Sequence, residues 1–148
     1  MNHELLIQTQ IQDIQHQFES LSAHSVPALA ALYALDARFK DPFNAVQGRD
    51  KIARIFSHMF ETVQAPRFAV TKIIANIAPD ESDVCLRWDF HFVRNHQSCS
   101  IVGATHLVLD ATGKIAMHDD YWDAAEQVYE RVPLLGAVLR WIKRRISA

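Results

Sequence analysis

The spacing of apolar residues divides the chain into a helical first part and a strand-rich second part. Apolar side chains recur at helical spacing over residues 4–21 and again over 48–63, which predicts two amphipathic helices. A shorter helix is predicted between them, with Ser25 as its N-cap, Pro27 in its first turn and an inner face formed by Leu29, Leu32 and Tyr33. The remaining pattern predicts a short strand over 37–42 and four longer strands over 67–78, 83–94, 98–109 and 114–122.

Helices followed by an antiparallel meander predict an α+β fold, with the helices on one face of the sheet. Two further helices are predicted over residues 124–131 and 134–146, with a break at Pro133. The pattern therefore predicts two parts: a domain over residues 1–123 and a helical extension over residues 124–148.

The hairpin around residue 95 has a register that the sequence predicts. A two-residue turn at Asn95 and His96 places Trp88 opposite Gly103, where the glycine leaves space for the indole ring. The same register separates Cys85 from Cys99 along the hairpin, so we expect two free thiols.

The following hairpin has two alternative registers. A four-residue loop pairs Thr105 with His118 and turns His118, Asp120 and Trp122 toward the helices. A three-residue loop reverses the parity and turns Asp119 and Tyr121 inward instead. The residues alone leave both alternatives open.

Composition and charge narrow the class of protein. The chain has 148 residues, of which 49% are hydrophobic, which suits one compact domain. Residues 1–130 contain 10 basic and 17 acidic residues, and this acidic excess argues against a nucleic-acid-binding surface. No N-terminal targeting pattern and no zinc-type cysteine spacing are present in the sequence, so we expect a cytoplasmic protein.

The last 18 residues have the opposite charge, with five basic residues and no acidic one. Their apolar side chains form a helical stripe with the basic residues away from it. We expect this helix to pack against the acidic body or a second subunit. Attachment to an anionic membrane surface is the alternative.

Two segments resemble the nuclear transport factor 2-like superfamily. The first reads Asp-Ala-Arg-Phe-Lys-Asp-Pro-Phe-Asn over residues 36–44 and continues with Gly-Arg-Asp-Lys-Ile over 48–52. The second runs from Gly113-Lys114-Ile115 to Tyr121-Trp122. Within the superfamily the chain resembles the ketosteroid isomerase and SnoaL-like branch over about residues 5–123.

The resemblance implies a cone, in which a curved sheet wraps around a helix-lined pocket. It also implies that Asp41, from the Asp-Pro-Phe motif, is a general base, and it supports the register that turns His118 inward. A homodimer through the outer sheet face is a further implication. The oxyanion-hole donors of the isomerases are not matched, because their positions fall at Gln17 or Phe18 and at Thr105.

The candidate catalytic residues are Asp41, His118 and Asp120. His118 and Asp120 are two positions apart on one strand, so the imidazole and the carboxylate share a face, where they can hold or transfer a proton. Asp41 has an alternative role in capping the turn at Pro42 or in pairing with Arg38 or Arg49. The alternative for His118 and Asp120 is a polar cluster whose members satisfy one another. By ligand type the three residues also suit a divalent ion, but no short motif supports a metal site and none is predicted.

The predicted pocket binds a small hydrophobic molecule that carries a carbonyl, hydroxyl or epoxide group. Thr105 is predicted to donate one hydrogen bond to it. The predicted ligand-binding residues are Phe43, Phe56, Met59, Phe60, Trp88, Phe90, Thr105 and Trp122. We therefore expect a cofactor-free isomerase, dehydratase or hydrolase that uses Asp41 as base. The alternatives are a non-catalytic ligand-binding or interaction module and a peripheral membrane protein.

Overall fold

The computed structural model describes residues 2–128 and 135–147. Helices and strands follow one another as α1 His3–Glu19, α2 Val26–Ala30, β1 Tyr33–Lys40, β2 Ala45–Gln47, α3 Arg49–Thr62, β3 Gln64–Asn76, β4 Glu81–Arg94, β5 Gln97–Asp110, β6 Ile115–Tyr121, α4 Ala124–Gln127 and α5 Leu135–Ile146. One curved six-stranded sheet, in the order β2-β1-β6-β5-β4-β3, packs against the N-terminal helices. The predicted α+β class is confirmed.

Helix α1 is the main cover of the sheet. Its N-cap is Asn2, whose side chain accepts a hydrogen bond from the backbone N–H of Glu4 at 3.2 Å. Its buried stripe contains Ile7, Ile11, Ile14 and Phe18, as the periodicity predicts. Helix α3 completes the cover with Ile52 and Phe56. The core therefore lies between the inner sheet face and these two helices.

The β4–β5 hairpin has the predicted register over its whole length. Asn95 and His96 form the turn, both with positive φ, and Arg94 pairs with Gln97. Trp88 lies opposite Gly103, and a Cβ atom at position 103 would be only 2.4 Å from the indole ring. The side chain of Trp88 therefore occupies the space that this glycine leaves.

The β5–β6 hairpin combines the two predicted alternatives. Leu109 pairs with Ile115, which corresponds to a three-residue loop, but a β-bulge follows and Val108 pairs with Met117. The extra residue restores the parity, so His118 and Asp120 point inward. The predicted pairing of Thr105 with His118 is wrong by two residues, because Thr105 pairs with Asp120.

Strand β1 differs most from its prediction. It begins at Tyr33, which was assigned to the second helix, and it pairs with β6 in parallel. Parallel pairing is available because most of the chain separates the two strands, whereas neighbouring strands joined by tight turns must be antiparallel. Strand β2, which has only three residues, was not predicted.

The outer sheet face is the one predicted to form a homodimer. Strand alternation places the exposed side chains of Ile74, Val102 and Tyr121 on this face. His106 is also there, with its Nε2 atom 2.8 Å from Asp83 Oδ1. Dimerisation through this face stays a prediction.

The C-terminal part is held to the sheet by α4. The carboxamide of Gln127 accepts a hydrogen bond from the backbone N–H of Val102 at 2.9 Å and donates one to its carbonyl at 3.2 Å. The predicted break at Pro133 lies outside the described residues. Among the described residues, no helix is long and apolar enough to cross a membrane.

Candidate active site

A chain of hydrogen bonds between five side chains crosses the core beneath the helices. The indole N–H of Trp88 donates to Thr105 Oγ1 at 2.8 Å, and the Thr105 hydroxyl donates to Asp120 Oδ1 at 2.5 Å. His118 Nε2 lies 2.7 Å from the same carboxylate oxygen, and His118 Nδ1 lies 2.8 Å from the Tyr33 hydroxyl. These hydrogen bonds join strands β1, β4, β5 and β6, so they depend on the assembled sheet.

The Tyr33 hydroxyl determines which nitrogen of His118 carries the proton. Burial, together with the nearby charge of Asp120, raises the pKa of Tyr33 well above its ordinary value, so the phenol stays protonated. Within the described residues its acceptor is His118 Nδ1. With the phenol as the donor to Nδ1, the imidazole carries its proton on Nε2 and donates it to Asp120.

Aromatic rings surround the imidazole of His118, which is 1% exposed. The ring of Phe39 is 4.5 Å away between centroids, and those of Phe18 and Phe56 are 6.0 and 6.4 Å away. Such rings cannot replace the hydrogen bonds of water, so His118 depends on Tyr33 and Asp120 for both of its nitrogens.

Among the five hydrogen-bonded side chains, Asp120 is the one with a polar atom left for another molecule. Its hydrogen bonds with other described residues involve Oδ1. Oδ2 has no partner among these residues, yet no buried side-chain atom there lacks one, so Oδ2 is open to the adjoining space. The two donors on Oδ1 fix the carboxylate in one orientation.

Asp120 lies between a large cavity and a small recess. The cavity has a volume of about 610 Å³ and is lined mainly by apolar side chains from α3 and the inner sheet face. The recess, about 20 Å³, is bordered by Thr105, His118 and Asp120 and has room for about one water molecule. A molecule in the cavity and one in the recess would both meet the same carboxyl group.

Most of the predicted lining faces the large cavity. Its walls include Phe43, Phe56, Met59, Trp88, Phe90 and Trp122. The prediction that Phe60 lines the pocket differs from the structure, because Phe60 packs against the core outside this lining. The prediction for Thr105 differs too: its single proton goes to Asp120 and its oxygen accepts from Trp88, so it has no proton to donate to a ligand.

Asp41 lies at the cavity wall, but its carboxylate accepts hydrogen bonds from the turn that follows it. Its Oδ1 atom accepts from the backbone N–H groups of Phe43 and Asn44 at 2.7 and 2.6 Å. The side-chain amide of Asn44 lies 3.1 and 3.0 Å from the two carboxylate oxygens. This arrangement is the turn-capping alternative that the sequence also allowed, and it orders the loop that carries Phe43 over Trp122, with ring centroids 5.4 Å apart.

Sequence reasoning missed Tyr33, which shares its proton with the catalytic candidates. One signal was present: the hydroxyl group of a buried tyrosine needs a hydrogen-bond partner, and this tyrosine lies in an apolar segment. It also missed Phe68, which stacks on Phe90 with ring centroids 4.5 Å apart and lines the cavity.

Both nitrogens of His118 are engaged by protein groups, which leaves no lone pair for a metal ion. In the part of the chain that the structure describes, no group of three or more His, Cys, Asp and Glu side chains is placed to hold one.

Comparison with known proteins identifies the class. The curved sheet around N-terminal helices is the fold of the nuclear transport factor 2-like superfamily, and its members include proteins with a ketosteroid isomerase-like fold. The SnoaL-like domain family matches residues 14–118, and the chain belongs to this family. None of the curated proteins matches the chain.

Solved structures of low sequence identity share the fold. An LEH-like epoxide hydrolase from M. tuberculosis has a TM-score of 0.66 at 13% identity, with 95% of this chain and 97% of that chain covered. A provisionally named scytalone dehydratase from Novosphingobium aromaticivorans has a TM-score of 0.65 at 14% identity, covering 81% and 83%. A provisionally named polyketide cyclase from Xanthomonas campestris has a TM-score of 0.64 at 14% identity, with 84% of this chain and 96% of that chain covered.

Proposed function

We propose that this protein is a cofactor-independent acid–base catalyst for a small, largely apolar molecule with a carbonyl, hydroxyl or epoxide oxygen. The observation that carries this proposal is the placement of Asp120, which is held by two donors on Oδ1 and offers Oδ2 to an apolar cavity. The reaction is an isomerisation, a dehydration or a hydrolysis, each of which needs a proton moved at the substrate or at a water molecule.

Asp120 is the proposed general base because its carboxylate is both oriented and accessible. Preorganised donors fix it before substrate arrives, so no rearrangement is needed at the moment of proton transfer. An apolar substrate that fills the cavity would displace the water that otherwise competes for the carboxylate. A proton taken up at Oδ2 can be returned to another atom of the same substrate or to a leaving oxygen.

His118 is the proposed positioning residue for Asp120. It donates from Nε2, and the hydroxyl of Tyr33 prevents the other tautomer, in which Nε2 would turn an acceptor toward the carboxylate. Such a mismatch would repel the carboxylate from its place. The role of His118 is therefore orientation through Asp120 rather than contact with substrate.

Asp41 as the base stays a prediction, and the hydrogen bonds favour Asp120 over it. The two Asp41 oxygens already accept from the turn that follows, so proton uptake there would weaken the loop at the cavity wall. Asp41 instead supports the loop that carries Phe43.

Basic side chains at the rim of the cavity favour a substrate with a polar end. Lys51 and Arg54 from α3 and Arg94 from the end of β4 line the opening. Within the described residues none of the three forms a salt bridge, as the ion pairs found there involve other residues. A substrate with an apolar body and an anionic or strongly polar end fits both the walls and this rim.

The test uses three probe substrates, one for each reaction. They are an aryl epoxide for hydrolysis, a β-hydroxy ketone for dehydration and a β,γ-unsaturated ketone for isomerisation. Turnover of one probe is expected to fall by about 10²- to 10⁴-fold in Asp120→Asn, which keeps the shape but loses the base. Asp119→Asn is the matched control, because this neighbour pairs with His106 on the outer face.

Asp41→Asn and His118→Gln complete the set of variants. Loss of turnover in Asp41→Asn with full activity in Asp120→Asn would move the base to Asp41 and overturn the assignment. For His118→Gln, a change in the pH dependence of turnover is expected, which a merely structural role would not produce. Binding of a fluorescent apolar dye in the cavity without turnover of any probe would favour the non-catalytic ligand-binding module.

A further inference from the structure

Helix α5 presents its apolar stripe to solvent. Its exposed apolar side chains are Leu135 at 44%, Val138 at 52%, Ile142 at 39% and Ile146 at 78%. Gly136 is the one buried residue of the helix. The stripe is therefore not covered by the described part of the body, and the predicted packing of this helix on its own domain does not bury it.

The charges of α5 have one sign. The helix contains Arg140, Lys143, Arg144 and Arg145 and no acidic residue. At 100° per residue, Lys143 and Arg145 lie on opposite sides of the stripe, whereas Arg140 and Arg144 lie on the far face. Long basic side chains beside an apolar stripe can bury their methylene groups and still reach anionic groups in the same plane.

Trp141 adds a third feature. Its ring is 51% exposed and Arg145 lies over it, with the guanidinium carbon 4.9 Å from the ring centroid. An indole ring has an apolar body and one N–H donor, which suits the boundary between acyl chains and headgroups.

We propose that α5 docks on an anionic lipid surface and lies in the plane of that surface. Twelve residues of helix extend about 18 Å, which is shorter than a bilayer core, so the helix rests on the surface rather than crossing it. An exposed apolar stripe, an all-cationic set of charges and a tryptophan fit acyl chains, anionic headgroups and the boundary between them, respectively.

A second copy of the chain is the less favoured occupant of this stripe. In a symmetric pair of α5 helices the same surface meets itself. Because α5 has four basic residues and no acidic one, two such helices would bring eight positive charges together and would supply no carboxylate of their own to pair with them.

The position of α5 relates this surface to the cavity. Lys143 Nζ lies 3.4 Å from Glu126 Oε2 on α4, and α4 is hydrogen-bonded to strand β5 through Gln127. Val128, directly after α4, lines the cavity. Docking through α5 would therefore bring the lipid surface near one wall of the cavity, although the docking itself does not depend on what the cavity binds.

The experiment is vesicle flotation of the full-length protein. One set of vesicles contains phosphatidylcholine alone, and the other contains about 30% phosphatidylglycerol. Binding is expected to the anionic vesicles at low salt and to fall as salt is raised. In Val138→Glu/Ile146→Glu, binding is expected to disappear, because two charges enter the stripe.

The matched apolar control is Leu5→Glu/Leu35→Glu. These two side chains are 53% and 77% exposed, close to the values for Val138 and Ile146, but they lie on α1 and β1. This variant is expected to bind like the unmodified protein. Arg145→Gln, beside the stripe, is expected to weaken binding about fivefold, and Arg144→Gln, on the far face, is expected to weaken it less. Lys40→Gln and Lys72→Gln, on exposed strand positions, are the charge controls.

Two outcomes would overturn the proposal. One is the absence of binding to the anionic vesicles by the unmodified protein. The other is equal binding by Val138→Glu/Ile146→Glu. Sedimentation equilibrium identifies the competing occupant: a dimer that dissociates in this variant, together with no vesicle binding, assigns the stripe to a second copy. Far-UV circular dichroism of each variant checks that the fold is retained.

Discussion

The Tyr33 hydroxyl group lies 2.8 Å from His118 Nδ1 and so joins two residues 85 positions apart in the chain. It determines that His118 presents an N–H to Asp120, because the protonated phenol needs an acceptor and Nδ1 supplies it. The orientation of a carboxylate at the cavity thus depends on a tyrosine that is not itself among the residues lining the cavity or the recess.

Replacing Tyr33 with phenylalanine is expected to lower the free energy of unfolding by about 1–3 kcal/mol at pH 8, because His118 Nδ1 loses its buried partner. This difference is expected to shrink as the pH rises above about 10. There the unfolded tyrosine releases its proton while the folded one, with its raised pKa, keeps it, so the unfolded state binds fewer protons and the stability of the unmodified protein falls. Urea unfolding at several pH values measures the difference.

The control for Tyr33→Phe is Tyr121→Phe, because Tyr121 is an exposed tyrosine on the outer sheet face. It is expected to leave the stability unchanged. A stability difference for Tyr33→Phe that stays constant from about pH 8 to 11.5 would contradict the raised pKa.

Gly103→Ala is expected to destabilise the fold by about 1–3 kcal/mol, because the new methyl group would meet the Trp88 ring. In a Trp88→Phe background the smaller ring leaves room, so the penalty of the same substitution should become smaller. A double-mutant cycle on unfolding free energies measures this coupling. Additive effects of the two changes would show that the ring does not occupy this space.

Thr105→Val keeps the shape of the side chain but removes the donor to Asp120 and the acceptor for Trp88. A loss of stability of about 1–3 kcal/mol is expected from the two broken hydrogen bonds. Thr105→Ser retains the hydroxyl group and should preserve the environment of Trp88, which near-UV circular dichroism reports. Identical spectra and stabilities for the two variants would contradict the hydrogen-bond chain.

The cationic rim predicts a preference for ligands with an anionic end. Displacement of a fluorescent apolar dye from the cavity should need less dodecanoate than dodecanol. Arg54→Gln and Arg94→Gln should each weaken the binding of dodecanoate about two- to fivefold and leave the binding of dodecanol unchanged. Lys72→Gln, away from the lining, serves as the control. Equal weakening of both ligands would point to altered cavity shape instead.

Local features of the sequence predicted most of the fold. The stripe on α1 follows from helical periodicity, and the β4–β5 register follows from a two-residue turn in which Asn95 and His96 both take positive φ. These features depend on neighbours in the chain, so the residues themselves contain the information. The same holds for the amphipathic α5 and its basic charge.

The candidate site was predicted in part. His118 and Asp120 were paired correctly on one face, but Tyr33 was missed and Thr105 was given a proton that it donates elsewhere. A residue's hydrogen-bond partner is set by its neighbours in space. For Tyr33 that neighbour comes from a strand at the far end of the chain.

What the sequence by itself determined is therefore the order of the helices and strands other than β2, the central hairpin and the face that His118 shares with Asp120. Only the tertiary structure decided the β5–β6 register, because the bulge after Ile115 lets a three-residue loop coexist with inward-facing polar residues. It also decided that Asp41 caps its turn while Asp120 opens to the cavity. The bulge and the exposure of Asp120 depend on packing across the whole sheet, which periodicity along one strand does not encode. The cap at Asp41 is local, and only the folded loop shows which of its partners it takes.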